Sequence, residues 1–292
     1  MTIGLHAHSA HRIPAASLRS VVDQTIRAGH QVLVSDVLLK TLEQNLRNQV
    51  SGTFSSEQDA ANLDALLSLG GDGTLLESLL YTLRKRIPLL GINFGRLGFL
   101  PSIPDTELGN LLIEFSEGRM LVQERSVLEL ECESSVHPFP EFPFALNEVA
   151  IIKKDSSSMI HIRTEVDGLF LNEYWGDGLI VASPTGSTGY SLSCGGPILW
   201  PDSSAIVLTP VSPHNLSMRP LVLNDGMQIS LIPGGRSSKI MLSMDSRSRS
   251  FPVNQRIKVK KSKESARFIL HSKDAFPSTL REKLFWGKDY RN

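Results

Sequence analysis

The sequence predicts an α/β domain built on a parallel sheet, then an all-β, sandwich-like domain, then a helix that returns to the first domain. Three observations carry that expectation. Over residues 1–118, short apolar runs alternate with segments of helical periodicity, as in successive βαβ units. Over 119–273 the chain becomes a series of strand-like runs separated by turn residues. The tail "FPSTLREKLFW", in 274–292, reverts to a helical pattern. A length of 292 residues is near the size where a single core stops growing, which allows one large or two ordinary domains, and two are expected.

In chain order, "TIGLHAH" is the first strand, followed by a helix near 15–28 that Gly29 closes. "QVLVSD" is the second strand and leads into a helix near 37–48. "LDALLSL" is apolar at nearly every position, as a strand buried on both faces should be. "TLLESLLYTLRK" has leucines at helical spacing, "IPLLGIN" is another strand, and a helix near 105–117 ends at Gly118. The β-rich part reads as "RMLVQERSVLELEC", "FALNEVAII", "MIHIRTEV", "LFLNEYW", "LIVAS", "AIVLTPV", "MQISLIP", "KIMLSM", "RIKVKK" and "ARFILH". Between "RTEV" and "LFLNE", Asp167-Gly168 marks a two-residue hairpin, whose type I′ turn needs positive φ at both positions. "SSKIMLSMDSRSRS" is rich in Ser and Arg and is expected to be exposed in part.

Composition excludes several classes of function. Lys plus Arg number 30 and Asp plus Glu 30, so the basic excess of a general nucleic-acid binder is missing. Cys132 and Cys194 lack zinc-site spacing and make no disulfide framework, which suits a reducing cytoplasm. No apolar run approaches 18 residues and the N-terminus has no hydrophobic signal core, so neither membrane insertion nor secretion is expected.

The chemistry-bearing motifs follow strands. In "LLSLGGDGTLLESLL" the glycines fall between a strand and a helix, at the carboxyl edge of a parallel sheet, where open α/β folds bind ligands. Bare backbone there admits a phosphate, and the amides opening the helix can point at it. Asp72 is then out of place unless a metal lies between it and the anion or it takes a proton from an attacking hydroxyl. The bland alternative makes Asp72 a helix N-cap in a tight turn. No G-x-x-x-x-G-K-[ST] loop occurs, and G-x-G-x-x-G fails because Leu76 fills its last position. In "LLGINFGRLGFL", Arg96 among glycines either neutralises a phosphate or points to solvent. "ALNEVAII" sets Asn147 beside Glu148; strand neighbours face opposite sides, so both reach one ligand only at a bulge or strand end. "YWGDGLIVASPTGSTGYSLSCGGP" carries Asp177 between glycines and then a run of hydroxyl residues and glycines suited to a polar ligand with a flat ring.

Taken in order, "GGDGTLL", "GINFGRLGFL", "NEVAI", "GDGLIVASPTGSTGYSLSCGGPI" and "LTPVSPHNLSMRPLVL" resemble the NAD kinase family from about residue 64 to 247. The resemblance implies an N-terminal domain like those of phosphofructokinases and diacylglycerol kinases, and transfer of phosphate from ATP to NAD. It implies that Asp72 contacts the adenosine ribose of NAD and acts as base for its 2′-hydroxyl, with Gly73 beside it. Asn147 and Glu148 would grip the adenosine half and Asp177 would stand near the nicotinamide half. Thr188, Gly189 and Tyr190 would line the dinucleotide, with Thr185 and Ser193 as further contacts. Gly71 and Arg96 are the candidate phosphate groups. Mg²⁺ is the implied cofactor, because Asp72 at ~4 Å from a phosphate charge is repelled by about 4 kcal/mol at an effective dielectric near 20. The metal ligands are not legible. A cytoplasmic homodimer or homotetramer is implied, with neither nucleic acid nor membrane as partner. One departure stands out: Asp245-Ser246 replaces the family's usual Asp-Gly, which puts positive φ at 246 and the role of Asp245 in doubt. A diacylglycerol or sphingoid kinase would share "GGDGT" but not the later motifs, and a non-catalytic nucleotide sensor would share the binding parts.

Overall fold

The computed structural model describes residues 1–95, 98–133, 137–155, 159–272 and 275–285. Its contacts divide the chain into two compact units, Met1–Glu124 with Ala266–Asn292, and Arg125–Ser265. The division falls inside two long strands, Leu121–Cys132 and Ile257–Leu270, while the sequence texture changes near 118 and 273.

Unit 1 is α/β. Its elements are β1 (Thr2–His6), α1 (Ala15–Arg27), β2 (Gln31–Ser35), α2 (Asp36–Leu39), α3 (Gln44–Arg47), β3 (Gly52–Phe54), β4 (Ala65–Leu69), α4 (Asp72–Thr82), β5 (Leu89–Asn93), β6 (Ser102–Pro104) and α5 (Leu108–Ser116). The strands run parallel in the order β3-β2-β1-β4-β5, with β6 also parallel on β5. Successive connections leave β1 toward both sides, so the order reverses between β1 and β4, and α/β sheets bind ligands at such a switch point. All five residues of β4 are buried, as a run that is apolar at every position but Ser68 leads one to expect. On α1, Leu18, Val21, Val22 and Thr25 form the buried stripe, and Gly29 beyond its end has φ of +82°.

The helix expected near 37–48 is instead two short ones. Ser35 Oγ accepts the Leu38 N–H and opens α2, while the Thr41 hydroxyl donates to the Leu38 carbonyl and accepts the Ala10 N–H at 2.9 Å. Glu43 is extended, at φ −63° and ψ 147°. A tertiary contact to Thr41 thus outweighs a helical pattern that the sequence carries throughout.

Unit 2 is a pair of antiparallel sheets. Its elements are β7 (Leu121–Cys132, entering from unit 1), β8 (Phe144–Ala145), β9 (Glu148–Lys153), β10 (Ile160–Val166), β11 (Leu169–Gly176), β12 (Gly178–Ala182) and α6 (Tyr190–Ser193). Then follow β13 (Ala205–Val211), β14 (Leu221–Asn224), β15 (Ile229–Gly235), β16 (Lys239–Met244), β17 (Arg247–Pro252) and β18 (Ile257–Leu270), the last residues of which belong to unit 1 with α7 (Ala275–Lys283). One sheet contains β11-β10-β15-β18 with β7 and β8; the other is β14-β13-β12-β9-β16-β17. Ile160, Ile162, Leu231 and Val259 of the first share a core with Val149, Leu179, Val181, Leu208 and Leu242 of the second. The alternate residues Ala150, Ile180, Ala182 and Val207 face the other way and pack with Cys194 and Leu199. Strand β12 is therefore buried on both faces, which is why "GLIVA" is uniformly apolar or glycine.

Asp167 and Gly168 have φ of 50° and 79°, as the type I′ hairpin demands. "RIKVKK" and "ARFILH", expected as two strands, are one continuous strand, β18. Strands β3, β6, β14 and β17 were not expected. In β17, "RSRSFP" carries no apolar alternation because most of its residues face solvent, and its pairing with β16 makes it a strand.

Candidate functional site

In unit 1 the site begins where β4 ends. Gly71 is the N-cap of α4 and contributes no side-chain cap, so Asp72 is the first helical residue rather than the cap. The Asp72 side chain leaves the helix. Its Oδ2 accepts the Phe99 N–H at 2.9 Å and its Oδ1 the Leu100 N–H at 3.3 Å. The glycines divide the work. A Cβ at Gly71 or Gly73 would meet no atom within 4 Å, so these positions leave backbone bare toward open space at the positive end of a helix. A Cβ at Gly98 would lie 1.7 Å from Asp72 Oδ1, so the third glycine of "GINFGRLG" is the space the carboxylate occupies. Asn93, ending β5, accepts the Gly95 N–H at 2.8 Å through Oδ1 and turns the chain. Arg96 lies outside the described residues.

In unit 2 the Asn147–Glu148 difficulty is resolved by a strand end. The chain leaves β8 at Ala145 and β9 starts at Glu148, so Leu146 and Asn147 form a break rather than a regular strand. Ser183, which follows β12, closes on that break: its N–H donates to the Asn147 carbonyl at 2.8 Å and its hydroxyl to the Leu146 carbonyl. The same hydroxyl accepts the Gly186 N–H at 3.1 Å and so starts the turn Thr185–Thr188. That turn is pressed onto the break, since a Cβ at Gly186 would lie 2.0 Å from the Asn147 carbonyl oxygen. A Cβ at Gly189 would lie 2.9 Å from Glu148 Oε2.

Three side-chain atoms here are buried without a hydrogen-bond partner: Asn147 Oδ1, Glu148 Oε2 and Thr185 Oγ1. An unpaired buried polar atom costs about 1–3 kcal/mol, so three on one break and turn describe a surface shaped for a polar ligand. Burial, and next the charge of Asp245, push the Glu148 carboxyl up to about 7, against a single opposing backbone N–H from Tyr190. Tyr190 is 41 % exposed at the start of α6. Burial raises the pKa of its phenol, and Cys194, Asp177 and Glu148 add to that rise, so it stands near both acids. Thr188 spends its hydroxyl on the Thr185 carbonyl, and Ser193 is exposed one turn beyond Tyr190.

Asp177 sits between two glycines that backbone approach requires: a Cβ at Gly176 or Gly178 would lie 2.9 Å from the Ser212 carbonyl oxygen or 2.3 Å from that of Ile151. Its carboxylate pairs with Lys153 Nζ at 2.7 Å. Lys153 and Ser183 were not singled out from the sequence. The signal for Ser183 was its place just before "PTGSTGY"; Lys153 had none, because only cross-strand register brings it to Asp177. The structure also corrects the expectation for 245–246: the positive φ, 51°, is at Asp245, and Ser246 is not among the positive-φ residues.

Residues 5–120 match the family model described as ATP-NAD kinase N-terminal domain, and 146–271 match that described as ATP-NAD kinase C-terminal domain. A protein of Cytophaga hutchinsonii named NAD kinase is 45% identical over 240 residues, covering 82% of each chain. One from Christiangramia forsetii, also named NAD kinase, is 38% identical over 294 residues and covers 100% of both. Among solved structures, yeast NADH kinase complexed with NADH superposes with a TM-score of 0.87 at 24% identity, over 100% of this chain and 89% of that one. An NAD kinase from Archaeoglobus fulgidus in complex with ATP gives 0.75 at 25%, over 98% and 100%.

Proposed function

We propose that this chain, which belongs to the ATP-NAD kinase family, transfers the γ-phosphate of ATP to the 2′-hydroxyl of the adenosine ribose of NAD. The observation that carries the reading is the preformed polar surface of Asn147, Glu148 and Thr185, whose buried oxygens have no partner in the protein. Adenosine offers the complementary amine and hydroxyl groups, and Tyr190 offers a flat exposed ring beside them. Asp177, held by Lys153, is a fixed acceptor for the other half of the dinucleotide.

In this mechanism Asp72 is the base. A carboxylate tethered through both oxygens keeps spare lone pairs, so it can accept the hydroxyl proton as the phosphoryl group arrives. The tether from Phe99 and Leu100 removes its rotational freedom beforehand, and holding reactants in line is the larger part of such catalysis. The bare amides at Gly71 and Gly73 are the groups that would receive the transferring phosphate.

Mg²⁺ belongs to this reading as the companion of the triphosphate. Among the described residues no three His, Cys, Asp or Glu side chains gather to hold a metal. The ion would be carried mainly by the phosphate oxygens of the triphosphate, which leaves Asp72 to act as the base. When bound it neutralises charge spreading over the phosphoryl oxygens.

The test is purified protein with ATP, Mg²⁺ and NAD, followed by an NADP-specific dehydrogenase readout. NADP should accumulate and chelation should abolish it. NAD binding without NADP would leave a sensor, and phosphorylation of a diacylglycerol or sphingoid base instead would make the chain a lipid kinase.

A homodimer or homotetramer in the cytoplasm completes the reading. Cys132 and Cys194 are free thiols, and no described helix is long and apolar enough to cross a membrane. Strand β11 ends its sheet and exposes Leu169 at 75% and Phe170 at 58%, a surface for a second copy of this chain. Light scattering should give a mass of at least twice 32.2 kDa, reduced by Leu169→Lys; a wild-type monomer would exclude this assignment.

A further inference from the structure

The two members of the Asn147–Glu148 pair reach one ligand only because the chain is not a strand at that point, and something must satisfy the amides that the break removes from the sheet ladder. One carboxylate does so. Asp245 accepts the N–H of Leu146 through Oδ2 at 2.9 Å, and those of Asn147 and Glu148 through Oδ1 at 2.8 and 3.2 Å. It stands at the β16–β17 hairpin turn with φ of 51°, a left-handed conformation that Asp tolerates and β-branched residues do not. Although the residue as a whole is half-buried, its carboxylate is enclosed by the three amides.

Its surroundings hold it in place. The guanidinium of Arg247, two residues on, donates to the carbonyls of Phe142, at 2.6 Å, and Phe144, and lies 5.0 Å from the Phe142 ring centroid. These contacts anchor the start of the turn's return strand to the segment that leads into the break. Burial raises the Asp245 pKa, opposed by the three amides and by Arg247; three donors on one carboxyl favour its anion. Glu148 has a single backbone donor, so its environment favours the neutral acid. Burial raises both neighbouring carboxyls, Asp245 against three backbone donors and Arg247, Glu148 against one backbone donor.

The geometry points to Asp245 as the positioning residue of the Asn147–Glu148 pair: it binds no ligand itself, but converts a sheet strand into a break whose two side chains face one ligand. Replacement of the family's usual glycine at 246 leaves this intact, because the residue that adopts positive φ is Asp245 itself. The inference deepens the NAD-binding reading and rests on it for the affinity arm of its test only.

That test uses the full-length protein with Asp245→Asn and Asp245→Ala. Asp245→Asn keeps the side-chain volume and one acceptor oxygen, and carries every readout if Asp245→Ala does not fold. The Kd for NAD should rise about thirtyfold while kcat at saturating NAD stays within about threefold. Removing the like charge beside Glu148 should also move the midpoint of the pH profile of NAD affinity downward. The other groups near that carboxyl, the Tyr190 amide and phenol, are unchanged, and Arg247 faces Asp245. Independently of any ligand, amide hydrogen exchange at 146–148 should accelerate about a hundredfold. Unchanged exchange in a folded variant overturns the inference, as does an unchanged NAD affinity and pH midpoint. If wild-type protein does not bind NAD, the functional reading fails and exchange alone judges the positioning.

Discussion

Asp72→Asn is expected to lower kcat about a thousandfold while the Kd for NAD stays within about tenfold. The amide is isosteric, so contacts that depend on shape survive, but it cannot take the proton of the attacking hydroxyl. It also turns an N–H group toward one of the two backbone donors that now hold the carboxylate, which loosens the side chain. The companion variant is Gly98→Ala. A Cβ placed 1.7 Å from Asp72 Oδ1 must expel the carboxylate from its seat between the Phe99 and Leu100 amides. The displaced group is the end of a side chain, so the fold should persist with its melting temperature within about 3 °C of wild type. Turnover should fall by a factor on the order of a hundred. Combining Gly98→Ala with Asp72→Asn should cost little beyond Asp72→Asn alone, because both act on one group. Near-normal turnover in Asp72→Asn would remove the base assignment. Additive losses in the double variant would show that Gly98 acts by another route.

Gly186→Ala should do damage of the other kind. Its Cβ would lie 2.0, 2.4 and 2.7 Å from the carbonyl oxygen, carbonyl carbon and Cα of Asn147, all backbone atoms that cannot swing aside. The turn Thr185–Thr188 and the break at 146–147 would have to separate, undoing the Ser183 bonds that join them. Overpacking of this kind costs roughly 1–3 kcal/mol or more, a fall in melting temperature of roughly 3–10 °C for a chain of this size. NAD binding should be lost in the protein that remains folded, since the turn and the pair would no longer share one surface. Thermal melting with calorimetric titration checks both. A variant that melts and binds NAD like wild type would contradict the close approach on which the unit 2 site is built.

Much of this protein is determined locally and was legible in its residues. The parallel unit shows because strands covered on both faces are apolar at nearly every position, as "ALLSL" and "LLGIN" are but for Ser68 and Asn93, and because glycines 29 and 118 end helices through backbone freedom alone. Asp167-Gly168 specifies its own hairpin. The glycine-flanked Asp72, the Asn147–Glu148 pair and the "PTGSTGY" run are visible because bare backbone and adjacent polar groups inside apolar runs conflict with ordinary packing. What the residues could not show depends on partners distant in the chain. Thr41 splits a helix because Ala10 reaches it. "RSRSFP" is a strand because β16 lies beside it. Gly98 is empty because Asp72, 26 positions earlier, fills the space. Asp245 aligns the Asn147–Glu148 pair across nearly a hundred residues. Conformational preference acts within a few residues, whereas the satisfaction of a buried amide or carboxylate is settled only when tertiary packing brings its partner within about 3 Å.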